Sequence, residues 1–333
     1  MGIVKASTIE EMGIYKNVID LDKMFFIQGF HRFLPHTWLI WIYAFFKLKK
    51  ENADVVHLTW PFQNIFESFL FSCKLGNLKV LTVHDPFPHS GLNNIERIER
   101  NRKKTFNWAD RFVLLNRKQL SSFITHYSVQ SKMTFISRFG VFDYLNIIVP
   151  KEMMIDGDYI LFWGQITPHK GLEYLLEAMK VVRKEYPHLK LVIAGGGNVY
   201  FDTEPYQHKE NIWIHRFIDM SELVGLLGKS QFVICPYKDA TQSGVVQTTF
   251  SMGVPVIATN VGALSETIKN NVTGFLVPPC DSIGLANKIV YLYSHQDELE
   301  RMRKNIKSDW QRKRDWNAIA DDYINKIYST SNS

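Results

Sequence analysis

From Asp158 onward the chain alternates between short unbroken apolar runs and longer stretches in which apolar residues recur every three or four positions. YILFW, LKLVIA, QFVICP, VPVIAT and GFLVPP are of the first kind. Their Val and Ile content, without polar alternation, predicts strands buried on both faces. GLEYLLEAMKVVRKEYP, stopped by Pro187, and SELVGLLGKS have the second pattern and predict helices with one apolar face, with NIWIH as a strand between them. Shorter helices are predicted after Gly244, near Ala263 to Lys269, and after Ser282. Strand, helix and strand in repetition make βαβ units, hence a parallel sheet wrapped by helices. Sheets of that kind bind ligands beyond the carboxyl ends of their strands.

The first half alternates in the same sense with less regularity. DVVHL, LKVLTV and DRFVLL read as buried strands, separated by helix-compatible segments 62–75, 92–107 and 117–127. A second domain of the same nucleotide-fold type is therefore expected. Periodicity lapses in VPKEMMIDGD, residues 149–158, where Pro and Gly enter. A linker placed there divides the chain into an N-terminal domain, 1–150, and a C-terminal domain that begins at residue 151.

Composition narrows the class. The 333 residues suit two domains, and 46% hydrophobic with 22% charged content describes packed cores. Cys73, Cys235 and Cys280 are far apart and form no CxxC or Cys/His pattern, so reduced thiols in a cytoplasmic protein, and no metal site, are expected. No basic stretch followed by a clean apolar core marks a secretory leader. The net charge of +6 is uneven: residues 1–150 hold 19 Lys+Arg against 12 Asp+Glu, and the remainder 20 against 21. An anionic partner of the first half, or a basic surface that is merely solvated, accounts for the excess.

The run HRFLPHTWLIWIYAFFKLKK, residues 31–50, bears on that partner. Its unbroken apolar part, Trp38 to Phe46, is far shorter than the roughly twenty residues that span a bilayer as a helix. Two readings stand: an interfacial segment resting on anionic lipid, which makes a peripheral membrane contact, or a buried helix followed by solvated lysines. The basic residues here and in RIERNRKK are not interleaved with base-stacking aromatics, which argues against nucleic acid as a partner.

Candidate chemistry concentrates in TQSGVVQTTFSMGVPVIATNVGA, residues 241–263. Ser243 suits an N-cap, Gly244 to Met252 a short helix, and Gly253 with Pro255 its end. Consecutive amides from Thr241 to Gly244 would then point off the helix amino terminus, where a diphosphate is stabilised by unpaired N–H groups and the helix dipole. An ordinary turn with a serine cap explains the same residues taken alone. Lys170, in WGQITPHKG beyond Gly164, sets an ammonium near the same strand ends, and Gly195, Gly196 and Gly197 after LKLVIA let a ligand approach the backbone closely. Together these features describe a nucleotide-diphosphate pocket.

In order, FWGQITPHKGLEYLLEAM, LVIAGGG, SQFVICPYKDATQSGVVQTTFSMGVPVIATNVGALSETI and TGFLVPP resemble the donor-binding domain of retaining GT-B-fold glycosyltransferases of family 4, the glycosyl transferases group 1. The likeness covers about residues 157–330. The terminal DWNAIADDYINKIY resembles the helix by which that family crosses back to its first domain, so a donor domain at 151–310 and a crossing helix at 311–333 are implied. ADVVHLTWPF and KVLTVHDPFPHSG extend the likeness more loosely into the first half. It implies an α/β GT-B fold, two Rossmann-like parallel-sheet domains facing a cleft. It further implies transfer of a hexose-type sugar from a nucleotide diphosphate donor to a glycan or lipid-linked saccharide in polysaccharide biosynthesis, with retained configuration and without metal or other cofactor.

Carried over residue by residue, the resemblance implies donor contacts at Gly164, Gln165, Lys170, Gly195, Gly196, Asp239, Gln242, Ser243, Gly244 and Thr248. Lys170 and the helix-end amides would stabilise the leaving diphosphate. His84 would act with it from across the cleft, near the donor sugar and acceptor, and Asp85 would orient His84 or touch the acceptor. His57 and His89 are read as loop or packing residues. No general base is nominated, because the acceptor hydroxyl is thought to pass its proton to the donor phosphate.

Three departures stand out. The family's pair of glutamates, separated by seven residues, falls at Ala240 and Thr248 when Gly253, Val254 and Pro255 are aligned. Its arginine in the Lys170 turn falls at Gln165, and its amino-terminal glycine-rich loop has no counterpart in MGIVKASTIEEMGIY. Thr248 on the ribose, Gln165 on a phosphate oxygen, and Asp239 or Gln242 on the sugar would replace those contacts, with neutral bonds weaker than charge-assisted ones where the side chain is uncharged. Two other readings are compatible with the same residues: a nucleotide-sugar epimerase on this fold, and a non-catalytic nucleotide- or glycan-binding partner of another transferase.

Overall fold

The computed structural model describes residues 2–6, 24–28, 35–62, 67–69, 76–84, 86–87, 95–240 and 243–329. Asp85, His89 and Gln242 lie outside the described residues, as does most of the helix expected at 62–75. The chain separates into two compact units, Met1–Arg138 with Asn317–Ser333, and Phe139–Trp316. The segment 149–158, expected as a linker, lies with the second unit, where the Lys151 N–H donates to the Ser221 carbonyl at 3.0 Å and Ile155 packs against the core.

In the first unit, β1 (Gly2–Ala6) and β2 (Met24–Gln28) form a parallel pair. A second parallel sheet has the order β3 (Val55–Leu58), β4 (Leu78–Val83), β5 (Arg111–Leu114), β6 (Thr134–Ile136). Helix α1 spans Pro35–Lys50, α2 Ile95–Trp108 and α3 Leu120–Tyr127. Alternate residues of β4 and β5 face opposite sides: Leu81, Val83, Phe112 and Leu114 meet Phe106 and Phe123, while Val80 and Val113 meet Ile327 of the C-terminal segment. That segment is fastened by Arg111, whose guanidinium donates to the carbonyls of Ile327 and Ser329 at 2.5 and 2.8 Å. His57 is a packing residue: its ring nitrogens bond the Tyr328 and Thr82 hydroxyls at 2.6 and 2.8 Å, and burial lowers its pKa to about 4. Sequence pattern does not reveal β6, a strand of three half-buried residues with too few positions to set a period.

The second unit holds a six-stranded parallel sheet with the order β12, β11, β10, β7, β8, β9. Its strands are β7 (Tyr159–Trp163), β8 (Lys190–Ala194), β9 (Asn211–Ile214), β10 (Val233–Cys235), β11 (Val256–Thr259) and β12 (Gly274–Val277). Its helices are α4 (Leu172–Val182), α5 (Met220–Lys229), α6 (Gly244–Ser251), α7 (Leu264–Thr267), α8 (Ser282–Ser294) and α9 (Gln296–Asn305). Ile160 and Phe162 of β7 enter one core, Tyr159 and Leu161 the other, so the strand is covered on both faces as its composition requires. Helix α4 stops earlier than Pro187. Lys184 and Glu185 bond three residues back rather than four, the tightening common in a last helical turn, and Tyr186 before the proline bonds Val182 O at 2.9 Å. The chain steps outward from β7 to β9 and then returns to β10 on the other side of β7. The order therefore reverses between β7 and β10, which is where a crevice forms at the carboxyl ends.

One ion cluster, a buried carboxylate under two half-exposed cations, ties the segment at Lys151 to α5. Glu222 accepts from Lys151 at 2.9 Å and from Arg216 at 2.7 and 2.8 Å, while Asp219 caps α5 through the Glu222 N–H. The Arg216 bond, then the Lys151 bond, lowers the Glu222 pKa from its ordinary 4.5 to about 2. A depressed carboxylate stabilises the fold fully above its unfolded value, and that contribution is lost as pH falls from about 4.5 toward 2. Glu222→Gln should lower the melting temperature at neutral pH and flatten its decline below pH 4.5; superimposable acid-melting curves would rule the cluster out as a stabiliser.

Candidate active site

The crevice is built by backbone constraints first. Beyond β7 and β8 the two chains stay zipped, with Gly164 N–H bonded to Ala194 O at 2.9 Å and Ile166 N–H to Gly196 O at 2.8 Å. At Gly195, φ is +152° and a Cβ would sit 2.0 Å from the Gly164 carbonyl oxygen, so only glycine fits. The chain then turns through Pro168–Lys170, and Gly171, at φ +64°, presses against the loop after β10: a Cβ there would meet the Pro236 oxygen at 2.1 Å. The Lys238 N–H donates across to His169 O at 2.8 Å, which locks the two loops together.

This fit delivers Lys170 to the reversal point. Its Nζ donates to the Tyr237 hydroxyl at 2.8 Å and lies 4.0 Å from the centre of that ring. The Tyr237 hydroxyl is in turn 3.4 Å from Ser243 Oγ, the N-cap of α6, which accepts from the Val246 N–H at 3.3 Å. The N–H groups of Gly244 and Val245 have no partner among the described residues, and Gly244 has open space around it. An ammonium, a hydroxyl and a helix amino terminus thus line one wall.

The charge balance of that wall is informative. Lys238 is neutralised by Glu173 at 2.8 Å, and Tyr200 also donates to Glu173. Lys170 has no such carboxylate among the described residues, and burial lowers its pKa, with only Cys235 opposing. Burial pushes the Cys235 thiol up to about 11 and Tyr237 well above its ordinary value, so both stay neutral near pH 7. A desolvated cation beside unsatisfied amides favours an anionic ligand.

A cavity of about 480 Å³ opens elsewhere, at the amino ends of β7, β8 and β9. Asp156, Asp158, Glu185 and Glu210 line it. Lys190 and His188 line it as well, so four carboxylates outnumber its cationic side chains, whereas no carboxylate among the described residues pairs with Lys170 in the glycine-lined crevice.

The structure therefore gathers Gly164, Lys170, Gly195, Gly196, Ser243 and Gly244 at neighbouring strand ends. Gln165 and Asp239 are exposed beside them. Thr248 is one turn inside α6 and 7% exposed, and Ala240 is also buried. His84 belongs to the first unit, at the end of β4, where its ring stacks on Trp60 at 4.8 Å. Tyr237 is the site residue that sequence reasoning misses; its one signal is a polar aromatic directly after a buried strand, in ICPYKD.

Two parallel-sheet α/β units, one with a reversal of strand order between β7 and β10, have the GT-B fold. Residues 151–309 match the family model of the glycosyl transferases group 1. The uncharacterized glycosyltransferase MJ1607 of Methanocaldococcus jannaschii is 30% identical over 174 residues, 51% of this chain and 44% of that protein. This chain thus spans less than half of that relative's length. A second relative from the same organism, the uncharacterized glycosyltransferase MJ1178, is 24% identical over 91% of this chain and 82% of its own length. Among solved structures, Anabaena Alr3699/HepE in complex with UDP and glucose superposes with a TM-score of 0.71 at 13% identity, over 98% of each chain.

Proposed function

We propose that this protein is a retaining glycosyltransferase that moves a hexose-type sugar from a nucleotide diphosphate donor to a saccharide or lipid-linked saccharide acceptor, on the cytoplasmic side. The observation that carries this reading is the Lys170 ammonium, with no carboxylate partner among the described residues, 2.8 Å from the Tyr237 hydroxyl, which in turn lies 3.4 Å from the Ser243 cap of α6. As the bond from the anomeric carbon to the donor phosphate breaks, negative charge grows on the leaving diphosphate. Lys170 and the Gly244 and Val245 amides meet that charge without rearranging. The acceptor oxygen bonds the anomeric carbon on the face the diphosphate leaves, and its proton passes to the departing phosphate oxygen. Positive charge is supplied by protein groups, so no metal is required in this reading. Thr248 is assigned to the ribose, Gln165 to a phosphate oxygen, and Asp239 or Gln242 to the sugar, in place of the family's charged residues; His84 is assigned a catalytic role with Lys170, near the donor sugar and acceptor, and Asp85 the acceptor side.

Product release from a panel of uridine and guanosine diphosphate sugars, with and without lipid-linked acceptors, tests the reading. Uridine donors come first because a fold neighbour was solved with UDP. Release only with acceptor supports transfer; isomerised donor without acceptor favours an epimerase, and binding without turnover favours a non-catalytic partner.

Tyr237 enters as a positioning residue for Lys170. Tyr237→Phe keeps the ring and removes the acceptor of the ammonium, so kcat should fall about tenfold. The ammonium also loses a group that favours its charged form, and its pKa drops further. Since the protonated lysine is the active form, the alkaline limb of the pH profile should move to lower pH. An unmoved limb would assign Tyr237 to packing alone.

A further inference from the structure

The crevice is walled by the loops after β7, β8 and β10, and Glu173 joins them. It stands in the first turn of α4, directly after the loop that carries Lys170. One of its oxygens accepts from the Lys238 ammonium, in the loop after β10, at 2.8 Å. The other accepts from the Tyr200 hydroxyl, in the loop after β8. The Lys238 ammonium also lies 5.5 Å from the centre of the Tyr200 ring and 6.0 Å from that of Tyr174, so the same segments meet a second time around it. With side chains 21% and 32% exposed, Glu173 and Lys238 are screened less than an ion pair at the open surface. Donors that arrive at different oxygens require a carboxylate, because an amide has a single acceptor oxygen. Tyr200 is the third residue after Gly197, and Lys238 directly follows Tyr237, the partner of Lys170. Holding these two side chains therefore holds the glycine backbone on one side of the crevice and the Lys170 acceptor on the other.

We propose that Glu173 is a positioning residue for the nucleotide diphosphate donor: it clasps the loops after β8 and β10 to α4 and holds the crevice in its ligand-ready form before the donor arrives. The inference rests on the donor-site reading above. Loops already ordered in the free protein cost nothing further to order on binding. Without the clasp only a fraction of the molecules has the crevice formed, and the apparent affinity falls by that fraction. Once assembled, the bound state is the same, so the loss falls on binding more than on turnover. That separates Glu173 from Lys170, whose charge acts on the leaving diphosphate itself.

The test is calorimetric titration of the full chain with UDP and with GDP, the tighter nucleotide being kept, alongside amide hydrogen exchange and donor turnover. Glu173→Gln should weaken that nucleotide about tenfold and raise the donor KM by a similar factor, with kcat changed less than about threefold. Without nucleotide, the amides of residues 195–200 and 238–240 should exchange faster than in the parent, and saturating nucleotide should restore the parent rates. Tyr200→Phe keeps the ring and removes one arm of the clasp, so it should loosen residues 195–200 alone and cost about threefold in affinity. It decides the matter even should Glu173→Gln fold poorly. A parent that binds neither nucleotide overturns the donor-site reading, and the positioning role with it. A parent that binds, with affinity unchanged in the variants, overturns the positioning role alone, as does a lowered melting temperature without any change in affinity. Tighter binding by Glu173→Gln would assign Glu173 to masking the Lys238 charge instead.

Discussion

Lys170→Met is expected to lower sugar transfer about a hundredfold or more while the protein melts no lower than the parent. Taking one electrostatic stabiliser away from the leaving group costs on the order of 3 kcal/mol at the transition state. The unchanged melting temperature follows from the same geometry. In the ligand-free protein Lys170 is desolvated, has no carboxylate among the described residues, and rests on the Tyr237 hydroxyl and ring, so removing its charge relieves a desolvation cost along with the hydrogen bond. Methionine keeps the stem over the ring. Adding a nucleoside diphosphate should therefore raise the parent's melting temperature and raise the variant's far less, because the stabilisation a ligand confers follows its affinity for the folded state. Turnover equal to the parent's would remove Lys170 from the donor site.

Gly195→Ala is expected to be the most damaging single-methyl change in the crevice. Its φ of +152° is a region that side chains rarely adopt, and the added Cβ would stand 2.0 Å from the Gly164 oxygen and 2.7 Å from its carbonyl carbon, both backbone atoms that cannot swing away. Strain and overpacking together should cost on the order of 3 kcal/mol or more, seen as a large fall in the urea midpoint or as failure to accumulate. The next residue separates folding from binding. At Gly196 an added Cβ meets nothing nearer than the Phe217 nitrogen at 3.5 Å, so Gly196→Ala should fold normally and lose donor affinity, since its methyl would occupy the space a ligand needs. Equal stabilities for the two variants would show that the zipped loops do not constrain the crevice.

Much of the fold and part of the site are legible in the residues, and the divide between what is and is not has a physical basis. Local features carry their cause in neighbouring positions. The apolar runs that form β7, β8, β10, β11 and β12, the Ser243 cap of α6 and the stop at Gly253 all depend on residues a few places apart. So do the glycines after β8, whose backbone needs are set by the turn they make. Interactions set by the order of strands are different. Tyr237 follows β10 and Lys170 follows β7, and nothing in either segment says that these strands are neighbours; the reversal of strand order brings the hydroxyl to the ammonium. The sequence of α1 likewise reads as apolar throughout, and its composition leaves open whether it is buried or interfacial. Only the packing of Trp41 and Ala44 decides which face is inside, because a helix without polar alternation has no preferred side until something covers one of them.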